Sequence, residues 1–174
     1  MDSCGIYLDN NVVIAYCLER RLPGFSLDFI GFLERNPKLG LITSRVENRI
    51  LKRLRKTEKA ESQGYCRFDE LQLALKKEEV DKSEFEKNLK TVGGFFYKLA
   101  GRKKYTHNPF SNLGKEDVER LAEAVCIEPN YSTLFFASLD KDFVTPHISR
   151  QIENKFKIKC RYPIDILKEI EINI

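Results

Sequence analysis

Met1-Asp-Ser-Cys-Gly-Ile-Tyr-Leu-Asp-Asn-Asn-Val-Val-Ile14 carries the signal around which the rest of the chain is arranged. The apolar run Ile6-Tyr7-Leu8 stops at Asp9, two asparagines follow, and a second apolar run begins at Val12. This pattern predicts a short strand over about residues 4–8. A helix over about 10–20 follows, with Val13, Ile14 and Cys17 on one side. Asp9 stands at the hand-over. An Asp or Asn there can cap the helix by accepting from its free N–H groups. Alternatively, open parallel α/β sheets bind ligands at the carboxyl ends of their strands, so a carboxylate delivered there is a candidate for chemistry. The first fourteen residues leave both explanations open.

Further along, Pro23-Gly24 ends the first helix. Ser26 is a suitable N-cap for a second, which buries Phe29, Ile30, Phe32 and Leu33 and stops at Asn36-Pro37. Leu39-Gly-Leu-Ile-Thr43 reads as the second strand, and Ser44-Arg-Val-Glu47 opens a third helix with Val46, Ile50, Leu51 and Leu54 at helical spacing. The pattern is weakest over about residues 56–112. There Phe68, Leu71, Leu75, Phe85, Leu89 and Val92 fit one or two amphipathic helices, interrupted by Gly93-Gly94 and Gly101. Phe95, Phe96 and Tyr97 beside Arg102-Lys103-Lys104-Tyr105 read first as core and second as a platform for unpaired bases. Asn108-Pro109 through Gly114 is a turn-rich connector. Residues 115–127 form the clearest helix, with Val118, Leu121, Ala122 and Val125 as its stripe and Pro129-Asn130 as its stop. Ser132 to Leu139 is apolar nearly throughout, as a central parallel strand covered on both faces would be. A helix near 148–156, a strand at 158–160 and a helix from Pro163 complete the chain. The alternation predicts one α/β domain over residues 1–174 with a mostly parallel sheet.

A chain of 174 residues suits a single core, and 42% apolar with 32% charged residues excludes wholesale disorder. No apolar stretch reaches the length of a membrane span. The N-terminus enters a strand without a basic-then-apolar leader, so no signal peptide is expected. The five cysteines are scattered and odd in number, with no C-x-x-C pair. Free thiols in a reducing cytoplasm fit them better than disulfides or a thiolate zinc site. With two histidines, any metal must be held by carboxylates.

Net charge is only +4, but its distribution is uneven. Arg45, Arg49, Lys52, Arg53, Arg55, Lys56 and Lys59 crowd one stretch, and Arg102-Lys103-Lys104 another. Such runs are ordinarily solvated helix faces, and their functional use is a surface for phosphates.

Four carboxylate positions occupy equivalent places. Asp9 ends the first strand, Glu47 lies in the first turn after the second, Asp117 opens the helix before the apolar strand, and Asp140 ends that strand, with Asp142 two residues on. Each has an ordinary explanation. Ser44-x-x-Glu47 matches a capping box, Asp117 complements a helix dipole, and Asp140 and Asp142 suit a turn. In a parallel sheet, however, all would converge on one rim. Two carboxylates about 5 Å apart repel by roughly 3 kcal/mol at an effective dielectric near 20. A convergent set must therefore take up protons or a cation. Oxygen-only ligands select Mg²⁺ or Mn²⁺, which activates water and neutralises phosphoryl charge.

At these residues the chain resembles the PIN-domain family of nucleases, which includes VapC-type toxins and RNA-processing proteins. Ile6 to Ile14 resembles its opening motif, and Ile42-Thr-Ser-Arg-Val-Glu47 its second. Asp117-Val-Glu-Arg-Leu-Ala-Glu-Ala124 and Ser138-Leu-Asp-Lys-Asp-Phe143 resemble the third and fourth. The resemblance implies a three-layer α/β/α fold and an Mg²⁺- or Mn²⁺-dependent endoribonuclease, a phosphodiester hydrolase acting on single-stranded or structured RNA. Asp9, Glu47, Asp117 and Asp140 would hold metal, Asp142 would be an outer ligand or orient water, and Asn11 and Ser138 would support them by hydrogen bonds. Arg45, Arg49, Lys52, Arg53, Arg102, Lys103 and Lys104 would bind RNA. Homodimerisation, and an antitoxin or processing partner, are further implications. Asn10 departs from the usual Thr or Ser, and the long 47–117 interval and basic Arg45–Lys59 run weigh against a compact toxin. The alternative is a non-catalytic RNA- or protein-binding module on the same fold. A haloacid-dehalogenase-type phosphatase would need an aspartate where Asn11 stands.

Overall fold

The computed structural model describes residues 3–56, 62–99 and 115–172. Five strands, β1 (Cys4–Leu8), β2 (Gly40–Thr43), β3 (Leu75–Glu78), β4 (Thr133–Ala137) and β5 (Ile158–Arg161), form one sheet in the order β3-β2-β1-β4-β5. Every pairing is parallel. Between β1 and β3 run α1 (Asn10–Cys17), α2 (Leu27–Arg35), α3 (Ser44–Lys56) and α4 (Ser62–Gln72). After β3 come α5 (Lys82–Leu99) and α6 (Lys115–Ile127), then α7 (Lys141–Val144) and α8 (Pro146–Phe156) after β4, and α9 (Pro163–Ile172).

Strand order sets the layers. From β1 the chain steps outward to β2 and β3, then returns across the sheet to β4 and β5. Right-handed crossovers therefore place α1–α4 on one face and α5–α8 on the other. The contacts agree: α1 packs on α3 and α4, α5 on α6, and α7 on α8, while α9 returns to α2. Rings join the sheet to the second layer, through Tyr7 on Phe136 (5.4 Å), Phe136 on Phe143 (5.0 Å) and Phe143 on Phe96 (6.1 Å). The result is a three-layer α/β/α fold. Ile6, Tyr7, Leu8, Phe136 and Ala137 are fully buried, which is why the central strands read as unbroken apolar runs.

Three expectations are corrected. Leu75, predicted on a helix, lies in β3. Only four residues long and carrying Lys76, Lys77 and Glu78, this edge strand lacks the apolar signature of its neighbours; charge on an edge guards against further pairing. Gly40 admits it, since a Cβ there would come within 2.7 Å of the Leu75 side chain. Secondly, α5 runs unbroken through Gly93-Gly94, because burial of Phe85, Val92 and Phe96 along one face outweighs poor glycine propensity. The first helix is also shorter than expected, ending at Cys17, with Glu19 in the left-handed region at φ 50°. Gly101, the 108–114 connector and Arg102, Lys103 and Lys104 lie outside the described residues. All five cysteines are free. Among the described residues no helix is long and apolar enough to cross a membrane.

Candidate active site

The sheet reverses its winding between β1 and β4, the place where open α/β sheets bind ligands beyond the carboxyl ends of their strands. Leu8 pairs with Ala137 at the end of the ladder, and Asp9 N–H donates to Ala137 O at 3.0 Å. This register sets Asp9 and Ser138 side by side. The Ser138 hydroxyl donates to Asp9 Oδ2 at 2.8 Å. It accepts from Asn11 Nδ2 at 3.3 Å and from the Asp140 amide at 3.0 Å. A serine hydroxyl has one proton and two lone pairs, so this one is fully used and its proton is fixed on Asp9. Asn11 Oδ1 in turn accepts the Leu139 amide at 3.1 Å. Asn11 and Ser138 thus hold the β4 turn against Asp9 through hydrogen bonds.

Asp9 itself is fully buried, and its other oxygen, Oδ1, has no hydrogen-bond partner among the described residues. Asp9 occupies the N-cap position of α1, but its side chain makes no cap hydrogen bond. Burial raises its pKa to about 7, and the charge of Asp117 adds to that rise. The Ser138 bond, the positive charge of Arg120 and the Asn10 backbone N–H oppose it only in part. A carboxylate is therefore presented at the switch point with one oxygen satisfied and one bare.

The remaining acids divide. Asp117, in the first turn of α6, acts electrostatically on Asp9. Asp140 caps α7, its Oδ1 accepting the Asp142 amide at 2.9 Å, and Asp142 has its pKa raised by burial and by Asp140. Glu47 turns elsewhere. It accepts from Gln72 Nε2 at 3.0 Å and pairs with Lys77 on β3, and those hydrogen bonds lower its pKa against a smaller burial effect. The capping box does not form either. Ser44 is already helical, and the Val46 amide donates to Thr43 Oγ1 at 3.4 Å. Among the described residues, no three of His, Cys, Asp and Glu gather closely enough to cage an ion. Asp9 and Asp117 could supply no more than the one or two carboxylates of a water-rich Mg²⁺-type site.

Sequence reading missed a buried polar network beneath the site. Glu123 is fully buried and accepts from Tyr7 Oη at 2.7 Å, Thr43 Oγ1 at 2.6 Å and Arg120 Nη1 at 3.0 Å. It ties β1, β2 and α6 together below Asp9. Arg120, almost wholly buried, has an Nε without a partner among the described residues and supplies the positive charge that bears on Asp9.

Basic residues flank the site. Asn11, Arg20, Arg49, Lys52, Arg53 and Lys56 help line a cavity of about 280 Å³ between α1 and α3. A second cavity of about 330 Å³ shares Arg49 and Lys52 and adds Arg45, Asn48, Arg120 and the acidic Glu119, as Glu116 adds an acid to the first. Arg49 is paired with Glu116 at 2.8 Å, and Arg45 lies 4.0 Å over the Phe85 ring. The α3 cations thus form a trough that begins beside Asn11. No family model, curated protein or solved structure matches this chain.

Proposed function

We propose that this chain is a divalent-metal-dependent endoribonuclease of the PIN type. The observation that carries the reading is the bare, buried Oδ1 of Asp9 at the sheet's switch point, beside Asp117. Asp9 and Asp117 would hold Mg²⁺ or Mn²⁺, which when bound supplies water activation and neutralises charge on the scissile phosphate. The chain's own residues do the rest. Ser138 and Asn11 fix the Asp9 carboxylate and leave Oδ1 as its free face. Asp142, made more basic by burial and Asp140, is placed at the rim to take a proton from water. The α3 trough takes phosphates flanking the cut.

The test is cleavage of a labelled single-stranded RNA with Mn²⁺, with EDTA, and by Asp9→Asn and Asp117→Asn variants. Metal-dependent cutting that both variants lose is the expected result; cutting that survives Asp9→Asn refutes the assignment. A second reading, a non-catalytic RNA-binding module, is favoured by the diversion of Glu47 to Lys77. It predicts steeply salt-dependent RNA binding and no cleavage with either metal.

A further inference from the structure

On the second layer, one face of α5 meets α8 in a groove of about 660 Å³ that the acidic site does not use. Lys90, Gly94, Phe95 and Lys98 line it from α5, and His147 and Lys155 from α8. Among the described residues, no acidic side chain lines it. His147 and Lys155 are eight residues apart on one helical stripe, as are Lys90 and Lys98, so each wall spans about 12 Å. The three lysines are exposed, and none has an ion-pair partner among the described residues.

The floor of the groove is aromatic and stiff. Phe95 is half-buried, with its ring held edge-on by Phe96 and by Phe156, each at 5.2 Å. Beside it, Gly93 and Gly94 sit inside a helix that would be stronger with alanine. A Cβ at either position would meet nothing within 4 Å, so no neighbour among the described residues requires the glycines. Their effect is to lower the wall next to Phe95 and leave the groove open to a flat group. A positively charged groove with a fixed aromatic floor is the arrangement that binds an unpaired nucleic-acid strand, with phosphates on the lysines and bases on the ring.

His147 follows Asp142 by five residues, so the groove mouth lies within about 18 Å of the acidic rim. We infer that the α5–α8 groove is a second contact for single-stranded RNA, holding the strand beyond the point of cleavage through Lys90, Lys98, Lys155 and Phe95. This rests on the reading of the acidic site for the identity of the polyanion.

The test separates the two. Asp9→Asn protein, which binds without cutting, is titrated with fluorescein-labelled single-stranded RNAs of four and twelve nucleotides at several salt concentrations. Adding Lys98→Gln with Lys155→Gln is expected to weaken the twelve-mer roughly tenfold and to flatten its salt slope by about 1.4, at about 0.7 per lost single-strand phosphate contact. The four-mer, held by the α3 trough, is expected to be unaffected. Gly94→Leu, which fills the groove at a position with room for a side chain, is expected to act on the twelve-mer in the same way. Twelve-mer binding that ignores all three substitutions overturns this inference alone. Failure of the parent to bind either RNA overturns the nuclease reading along with it.

Discussion

Asp9→Asn tests the electrostatics of the site without any substrate. The Asp9 carboxyl titrates near 7 in the fold against an ordinary aspartate value of 3.8, because it is buried with a bare oxygen near Asp117. The folded chain therefore holds its proton more tightly than the unfolded chain does. The stability this carboxyl contributes is greatest below about pH 3.8, is lost as pH rises towards 7, and is flat above that. A rise of about three pKa units corresponds to about 4 kcal/mol, and about 3 kcal/mol of it falls between pH 4.5 and 8.5. Asparagine has no such titration. Its amide, in the place of Oδ1, has no acceptor and costs about 1–3 kcal/mol, the same at every pH. In EDTA, the stability of the Asn variant relative to the parent should accordingly rise by about 3 kcal/mol from pH 4.5 to 8.5. For a chain of 174 residues this is a relative gain of about 6–12 °C in Tm.

The assay is a thermal melt of both proteins across that pH range, repeated with Mg²⁺. Taking the difference removes every titration the two proteins share. Parallel Tm–pH curves would refute the burial argument. Mg²⁺ should raise the Tm of the parent at pH 8.5, by about 2.7 kcal/mol of stabilisation at a hundred times its Kd, and leave the Asn variant unchanged. An equal rise in both proteins would place the ion elsewhere.

Glu123→Leu should cost about 3–5 kcal/mol in urea unfolding, because it leaves the buried Arg120 charge with only Glu119, 3.8 Å away, and Arg120→Met added to it should recover part of the loss, the Tyr7 and Thr43 hydroxyls still lacking their acceptor. Gly24→Ala should cost about 1–3 kcal/mol by the same measurement, since φ is 84° there and a Cβ would run into the Tyr162 ring. Glu47→Gln should lose less than about 1 kcal/mol and keep Mn²⁺-dependent cleavage near the parent level, because the carboxylate is engaged by Gln72 and, in a half-exposed pair, by Lys77. Inactivation by Glu47→Gln as complete as that by Asp117→Asn would contradict this placement of Glu47.

Local chemistry announced β1, β4 and α6, and long-range pairing decided what it did not. Ile6-Tyr7-Leu8 and Leu134 to Ala137 are covered on both faces, so burial is written into every residue of those strands. In β3 only Leu75 is apolar, and it pairs with Gly40 thirty-five residues earlier, a relation no local window contains. The site divides in the same way. Asp9, Asn11 and Ser138 sit at strand ends in register, and the strand signal that located the ends also brought the side chains together. Glu47 was placed by the helix it opens, but its direction is set by Lys77 and Gln72, which come from the two elements with the weakest pattern. Glu123 was hidden for the opposite reason. Helix α6 is buried on most of its surface, so its charged residue facing the sheet stands among Leu121, Ala122 and Ala124 without breaking any stripe. A buried carboxylate there is tolerable only because Tyr7, Thr43 and Arg120 meet it, and those three come from β1, β2 and α6. The same Arg120 charge lowers the cost of ionising Asp9. The network that holds the first two strands to α6 thereby also sets how readily the candidate catalytic carboxylate carries its charge.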